Sequence, residues 1–170
     1  MIESQEKILG IDPGLNITGY GVLTAVSNRI IEAGVIRIGR NQPMESRLEE
    51  LYEGVVDVVE SLKPSFMAVE DLYSHYERPK TAIIMGHARG VILLAARKSG
   101  IPVTTYAATK VKRVMTGNGR ASKSQMQTAV CRHLKLDAVP EPPDVADALA
   151  IAICHGHHLQ TDHPQDIANL

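Results

Sequence analysis

At 170 residues and 44% hydrophobic content, the chain is the size of one domain and can bury a core of its own. Its two cysteines, Cys131 and Cys154, are too few for a disulfide scaffold, no apolar run reaches the roughly 18 residues of a membrane span, and residues 1–7 carry no targeting pattern. The expectation is a cytoplasmic protein with both thiols reduced, and a net charge of −1 excludes a uniformly basic surface.

Residues 8–14, Ile-Leu-Gly-Ile-Asp-Pro-Gly, read as a buried strand whose final residue, Asp12, is turned out of the sheet by Pro13 and Gly14. An ionised carboxylate in such a half-buried place costs several kcal/mol, by order of magnitude, unless a cation or donor meets it. An Asx-type turn fits the same stretch. Residues 17–23 and 29–38 are β-rich and separated by turn residues, which predicts a three-stranded antiparallel meander. Apolar Leu48, Leu51, Val55, Val58 and Val59 then recur at a helical period until Lys63-Pro64 stops them. Phe66-Met67-Ala68-Val69 forms a second short strand ending in Glu70-Asp71, and the intervening helix makes it a parallel neighbour of the first.

Residues 80–99 predict a helix with Gly86 and Gly90 one turn apart, where the protein's own sheet or a second subunit can approach closely. A strand over 103–106 follows, then a short helix over 107–115, a loop over 116–119 and a helix to 134 with Ser122 at its N-cap. Of the 18 Lys and Arg residues, twelve lie between Arg78 and Lys135, a stretch with no Asp or Glu. Such segregation is the footprint of phosphate binding, since a merely solvated helix face interleaves acids as partners. Lys112, Arg113, Arg120 and Lys123 bracket Gly117-Asn118-Gly119, which suits close backbone approach to a phosphate. After Pro140-Glu141-Pro142-Pro143, a last helix is expected over 144–157, so that one domain spans 1–158 and residues 159–170 form a polar, flexible tail.

Asp144 and Asp147 lie three apart, hence on one face of that last helix. Asp144 also suits the positive end of the helix dipole, whereas Asp147 sits within an apolar stretch where that account fails. With Asp12 and Glu70 at neighbouring strand ends, four carboxylates gather around one crevice. They cannot all stay ionised without counter-charge, and divalent Mg²⁺ or Mn²⁺ is the hard cation that oxygen ligands suit. Cys154, His155, His157, His158 and His163 invite a zinc reading, but a frayed, His-rich helix end is the expectation.

The order of a strand-terminal Asp in Gly-Ile-Asp-Pro-Gly, a meander, a strand-terminal Glu, a basic middle and a late Asp-x-x-Asp-Ala-Leu-Ala-Ile-Ala helix resembles the retroviral-integrase/ribonuclease H-like superfamily. Within it, the chain is similar over residues 8–158 to the bacterial Holliday-junction resolvases of the RuvC family. The resemblance implies an α/β fold with a mixed five-stranded sheet, three antiparallel strands then parallel ones, flanked by helices. It implies a structure-selective endodeoxyribonuclease that resolves four-way junction DNA by paired nicks in recombination and repair. Asp12, Glu70, Asp144 and Asp147 would be the catalytic acids, binding two Mg²⁺ ions with Mn²⁺ as a substitute. Some members carry His at the position of Asp144, and Asp71 stands where Gln is usual. Tyr73, in the loop after Glu70, matches an aromatic that stacks on a base; packing against the protein's own body fits it as well. Lys112 and Lys123 match DNA-contacting residues. A homodimer and the branch-migration proteins RuvA and RuvB are the implied partners. Two rivals remain at this stage: an actin-like or sugar-kinase ATPase lobe, which shares an Asp-x-Gly turn, and a non-catalytic junction-binding protein using only the basic middle.

Overall fold

Strands β1 (Lys7–Asp12), β2 (Ile17–Thr24) and β3 (Ile30–Arg37) follow one another through short turns and pair antiparallel, as the alternation of β-rich and turn residues predicts. These coordinates are a computed structural model that describes residues 5–72 and 79–162. The β2–β3 turn closes on Thr24, whose backbone N–H donates to the Arg29 carbonyl at 3.0 Å and whose hydroxyl accepts from the Arg29 N–H at 3.0 Å. Helix α1 (Met44–Leu62) ends where Lys63 adopts a left-handed conformation ahead of Pro64. Strand β4 (Phe66–Glu70) then lies parallel to β1, and after α2 (Pro79–Lys98) strand β5 (Val103–Tyr106) lies parallel to β4. The sheet order is β3-β2-β1-β4-β5, the mixed five-stranded arrangement expected. Helices α3 (Ala108–Thr116), α4 (Lys123–Leu134) and α5 (Pro143–Asp162) complete the chain. Helix α4 starts at a reciprocal cap: the Ser122 hydroxyl accepts from the Gln125 N–H at 3.2 Å, and the Gln125 side chain accepts from the Ser122 N–H at 2.8 Å.

Both faces of the sheet are covered, which explains the continuous apolar run of β1. Leu9 and Ile11 point to α1 and α2, packing with Leu51, Val55 and Ile92, while Ile8 points to the α5 side with Leu149 and Ile153. Helix α5 crosses β1 and β2 so closely that a Cβ on Gly10 would meet the Ala148 carbonyl oxygen and lie 2.7 Å from the Ala152 nitrogen.

Two expectations change. Helix α5 does not fray near His157 but runs through Asp162, because Leu159 packs on the core and Gln160 donates to the carbonyls of Ala25 and Val26 at 3.5 and 3.2 Å. The described part of the expected tail, 159–162, is therefore helix, and residues 163–170 lie outside the described residues. Cys154 and His155 are likewise core residues, 1% and 3% exposed, with His155 Nδ1 2.8 Å from the Tyr106 hydroxyl. Among the described residues no three His, Cys, Asp or Glu side chains form a ready metal cage, and His163 lies outside them. Gly86 and Gly90 do not serve contact with the protein's own sheet: a Cβ on Gly90 meets nothing within 4 Å, and one on Gly86 reaches only Leu72 at 4.0 Å.

The tight α5–β1 approach is testable. Gly10→Ala forces backbone apart and is expected to cost about 3 kcal/mol in a urea titration. Gly39→Ala, where the new methyl meets only the Gln42 side chain and displaces its exposed hydrogen bond to Glu50, is expected to cost no more than about 1 kcal/mol.

Candidate active site

Ile11 of β1 pairs with Val69 of β4, and the next residue on each strand is an acid, Asp12 and Glu70. Since Gly10 and Ala68 form a pair on the α5 side, alternation sends both carboxylates to that same face. The backbone after Asp12 is held by Thr18, a fully buried residue whose hydroxyl donates to the Gly14 carbonyl and accepts from the Gly14 N–H at 3.1 Å. The strand-terminal Asp is thereby fixed from below.

Helix α5 brings the other two acids. Asp12 pairs across the sheet with Gly19, and a Cβ on Gly19 would strike the Asp144 carbonyl oxygen and lie 3.0 Å from the Asp144 Cβ. Asp144 thus seats over the end of β1 because Gly19 carries no side chain. One turn later, Asp147 is the single residue between Val145 and Gly156 that is not buried. A helix that otherwise shows only Ala, Val, Leu, Ile, Cys and His to the core opens at this one place, toward the strand ends.

The four acids lie close enough to act on one another. Burial, then repulsion from Glu70, Asp147 and Asp144, pushes the Asp12 carboxyl up to about 8, against a smaller pull from Lys123. Burial also raises Glu70, with Asp147 adding to the effect and Lys112 opposing it. Asp147 is raised by burial first and by Asp144, while Lys123 and Lys112 pull it down. Among the described residues, none of the four carboxyl groups accepts a hydrogen bond or joins an ion pair. The donor set is therefore all hard oxygen, desolvated, mutually repelling and unsatisfied, the kind of set a divalent cation suits. The acids do not form a preassembled cage, so a cation would draw them together.

The sequence-predicted basic residues divide. Lys112 and Lys123 line a cleft of about 260 Å³ with Glu70 and Asp147, on the α3–α4 side of the acids. Arg120 and Lys112 border a second cleft of about 560 Å³ that Glu70 also lines. Arg113 is exposed and lies over Gly119, which borders the second cleft, without lining either cleft itself. Tyr73 lies outside the described residues. Asp71 is 53% exposed and meets Arg89 at 3.3 Å, and Arg89 in turn donates to the Thr105 hydroxyl at 3.0 Å. That clasp between β4, α2 and β5 was not visible in the sequence, where Asp71 and Arg89 look unrelated.

In the metal-free protein these acids set a pH dependence. A carboxyl whose folded pKa is raised leaves stability full below the unfolded value of 3.8, and stability falls as pH rises toward about 8. His155, pushed down to about 4 by burial, acts oppositely, losing stability as pH falls from 6.5. Comparing Asp12→Asn with the parent at each pH isolates the acid. In EDTA the variant is expected to be more stable at pH 8, by about 1–3 kcal/mol, the cost of an unpartnered buried group. The difference should vanish near pH 4 in thermal melts.

The comparisons with known proteins agree with this geometry. The family model for the crossover junction endodeoxyribonuclease RuvC matches residues 8–155. The chain is 55% identical over 167 residues to the crossover junction endodeoxyribonuclease RuvC of Rhodopirellula baltica, covering 97% of this chain and 93% of that one. Its fold is similar to Thermus thermophilus RuvC, with a TM-score of 0.84 at 31% identity, covering 92% of this chain and 96% of the other. It is equally similar to T. thermophilus RuvC in complex with Holliday junction substrate, with a TM-score of 0.85 at 31% identity over 93% and 97% of the two chains. A ribonuclease H-like sheet that ends in clustered acids, matched over nearly its whole length by these proteins, places the chain in the RuvC family of crossover junction endodeoxyribonucleases.

Proposed function

We propose that this protein cuts four-way DNA junctions by metal-dependent phosphodiester hydrolysis, making paired symmetric nicks that resolve the junction in recombination and repair. The observation that carries the reading is the set of four unsatisfied carboxylates, Asp12, Glu70, Asp144 and Asp147, flanked by Lys112 and Lys123. Two Mg²⁺ ions, with Mn²⁺ as a substitute, would lower the pKa of an attacking water and neutralise the leaving 3′-oxygen. Asp12, which feels the charge of all three other acids, would hold the ions together with Glu70, Asp144 and Asp147. Lys123 offsets charge that develops on the phosphate, and Lys112 holds the strand against the α3 side of the cleft. Products carry a 5′-phosphate and a 3′-hydroxyl. The chain acts as one nuclease domain that includes α5 through Asp162, and Tyr73, Arg113 and Arg120 contact DNA outside the scissile bond.

Two symmetric cuts need two active sites related by a two-fold axis, hence a homodimer. The outward face of α2 supports this, since Ile83 and Leu94 are 61% and 54% exposed beside Gly86 and Gly90, an apolar stripe with room for a second helix. RuvA and RuvB, as branch-migration proteins, would deliver the junction in the cytoplasm.

With a synthetic four-way junction in Mg²⁺, Asp12→Asn is expected to lose cleavage by at least about a thousandfold while binding as well as the parent or better, because one negative charge leaves the phosphate site. Cleavage near the parental rate removes Asp12 from the metal site. Lys112→Ala and Lys123→Ala should each lower the log–log salt slope of binding by about one. Leu94→Arg should give a monomer in sedimentation equilibrium and cut junctions without coordination between the two nicks.

A further inference from the structure

A third cleft, of about 570 Å³, opens on the side of Asp144 away from Lys112 and Lys123. Its walls are the turn from Pro13 to Ile17, Arg40, Arg47 and the first turns of α2 at Thr81. Both arginines belong to the acid-rich part of the sequence, outside the basic stretch from Arg78 to Lys135. Neither joins an ion pair among the described residues. Glu50, the acid whose charge acts on Arg47, is already committed to the Gly39 N–H at 2.8 Å and the Gln42 side chain at 2.9 Å. Arg47 spends its Nη2 on the Leu15 carbonyl at 3.0 Å and the Asn16 side chain at 2.8 Å, and its buried Nε has no partner. Arg40 is exposed and makes no hydrogen bond among the described residues.

Arg40 and Arg47 line a cleft that one of the four acids also lines, Arg47 feels Glu50 without pairing to it, and the Arg47 Nε and the Arg40 guanidinium leave donors that an anion from outside the chain can take. The geometry points to a phosphate subsite formed by Arg40 and Arg47, which holds the cleaved strand at a phosphate flanking the scissile one, on the side opposite Lys112 and Lys123. This rests on the nuclease reading above, and it gives the strand a path: from the Arg120 cleft past the acids to the Arg40 cleft. Arg47 also shapes the turn behind Asp12, so Arg40 is the residue that isolates phosphate binding. Thr81 and Asn16 add neutral donors at the same wall.

The test pairs Arg40→Ala with single methylphosphonates, which remove one backbone charge, at each of three positions on either side of the scissile phosphate of a synthetic four-way junction. Arg29→Ala, at the far end of β2 and β3, removes the same charge elsewhere. Arg40→Ala is expected to lower the salt slope of binding by about one, with Arg40→Lys restoring it and the melting temperature unchanged. At one flanking position the methylphosphonate and Arg40→Ala should each slow single-turnover cleavage about tenfold, and together no more than either alone. Losses that multiply at every position, or an Arg40→Ala protein indistinguishable from Arg29→Ala, overturn the subsite. A parent protein that leaves the junction uncut overturns the nuclease reading instead.

Discussion

Helix α5 lies against the first two strands at backbone distance, and the meeting of its acids with those of β1 and β4 depends on that contact. Gly10 admits the Ala148–Ala152 turn of the helix, and Gly19 admits Asp144. Were either position to carry a methyl group, the helix would ride up and the acids of α5 would leave those of β1 and β4. Small residues along α5 itself, Ala146, Ala148, Ala150 and Ala152, complete the fit. The cost is borne in composition: a strand interior gives up side-chain packing at two glycines so that a helix can deliver carboxylates.

What that approach creates is an electrostatic conflict. Asp12, Glu70 and Asp147 are all held above the ordinary carboxylate range by burial, and each also feels at least one of the other acids. Two lysines lower the tension without pairing, since neither makes an ion pair with the acids among the described residues. A fold optimised only for stability would fill this crevice with apolar side chains, as it does along the rest of α5. Local frustration that the surrounding core outweighs is the physical mark of a working site.

Much of this was legible from residue order. Asp12 and Glu70 announce themselves because a charged residue ends an apolar strand, and Asp147 because it interrupts an apolar helix; the crossover rule then makes the two strands neighbours. The meander, the helices and the Ser122 cap follow from periodicity and turn residues, each of which is a local signal. What escaped is long-range. The docking of Leu159 and Gln160 on the β2–β3 turn extends α5 past its apparent end, and it buries His155 against Tyr106, 49 residues away in sequence. No local pattern separates a His that frays from one that packs. The Asp71–Arg89 clasp escaped for the same reason.

Arg40 and Arg47 were missed for a different reason, one that bears on how the site works. Counting charge along the chain finds cations that are neighbours in sequence, and that count sees only the α3–α4 side of the crevice. The fold adds Arg40 and Arg47 on the other side from a segment where acids outnumber bases, so on the proposed reading the phosphate track would draw on two distant parts of the chain. The choice of arginine at position 47 follows from this double duty. A guanidinium can spend one nitrogen on Leu15 and Asn16, bracing the turn behind Asp12, and keep another N–H in the same plane unspent. A lysine has a single nitrogen and no such division. On the proposed reading, the side chain that braces the turn behind Asp12 also lines the cleft that would receive the strand, so strand binding and acid placement would share one side chain.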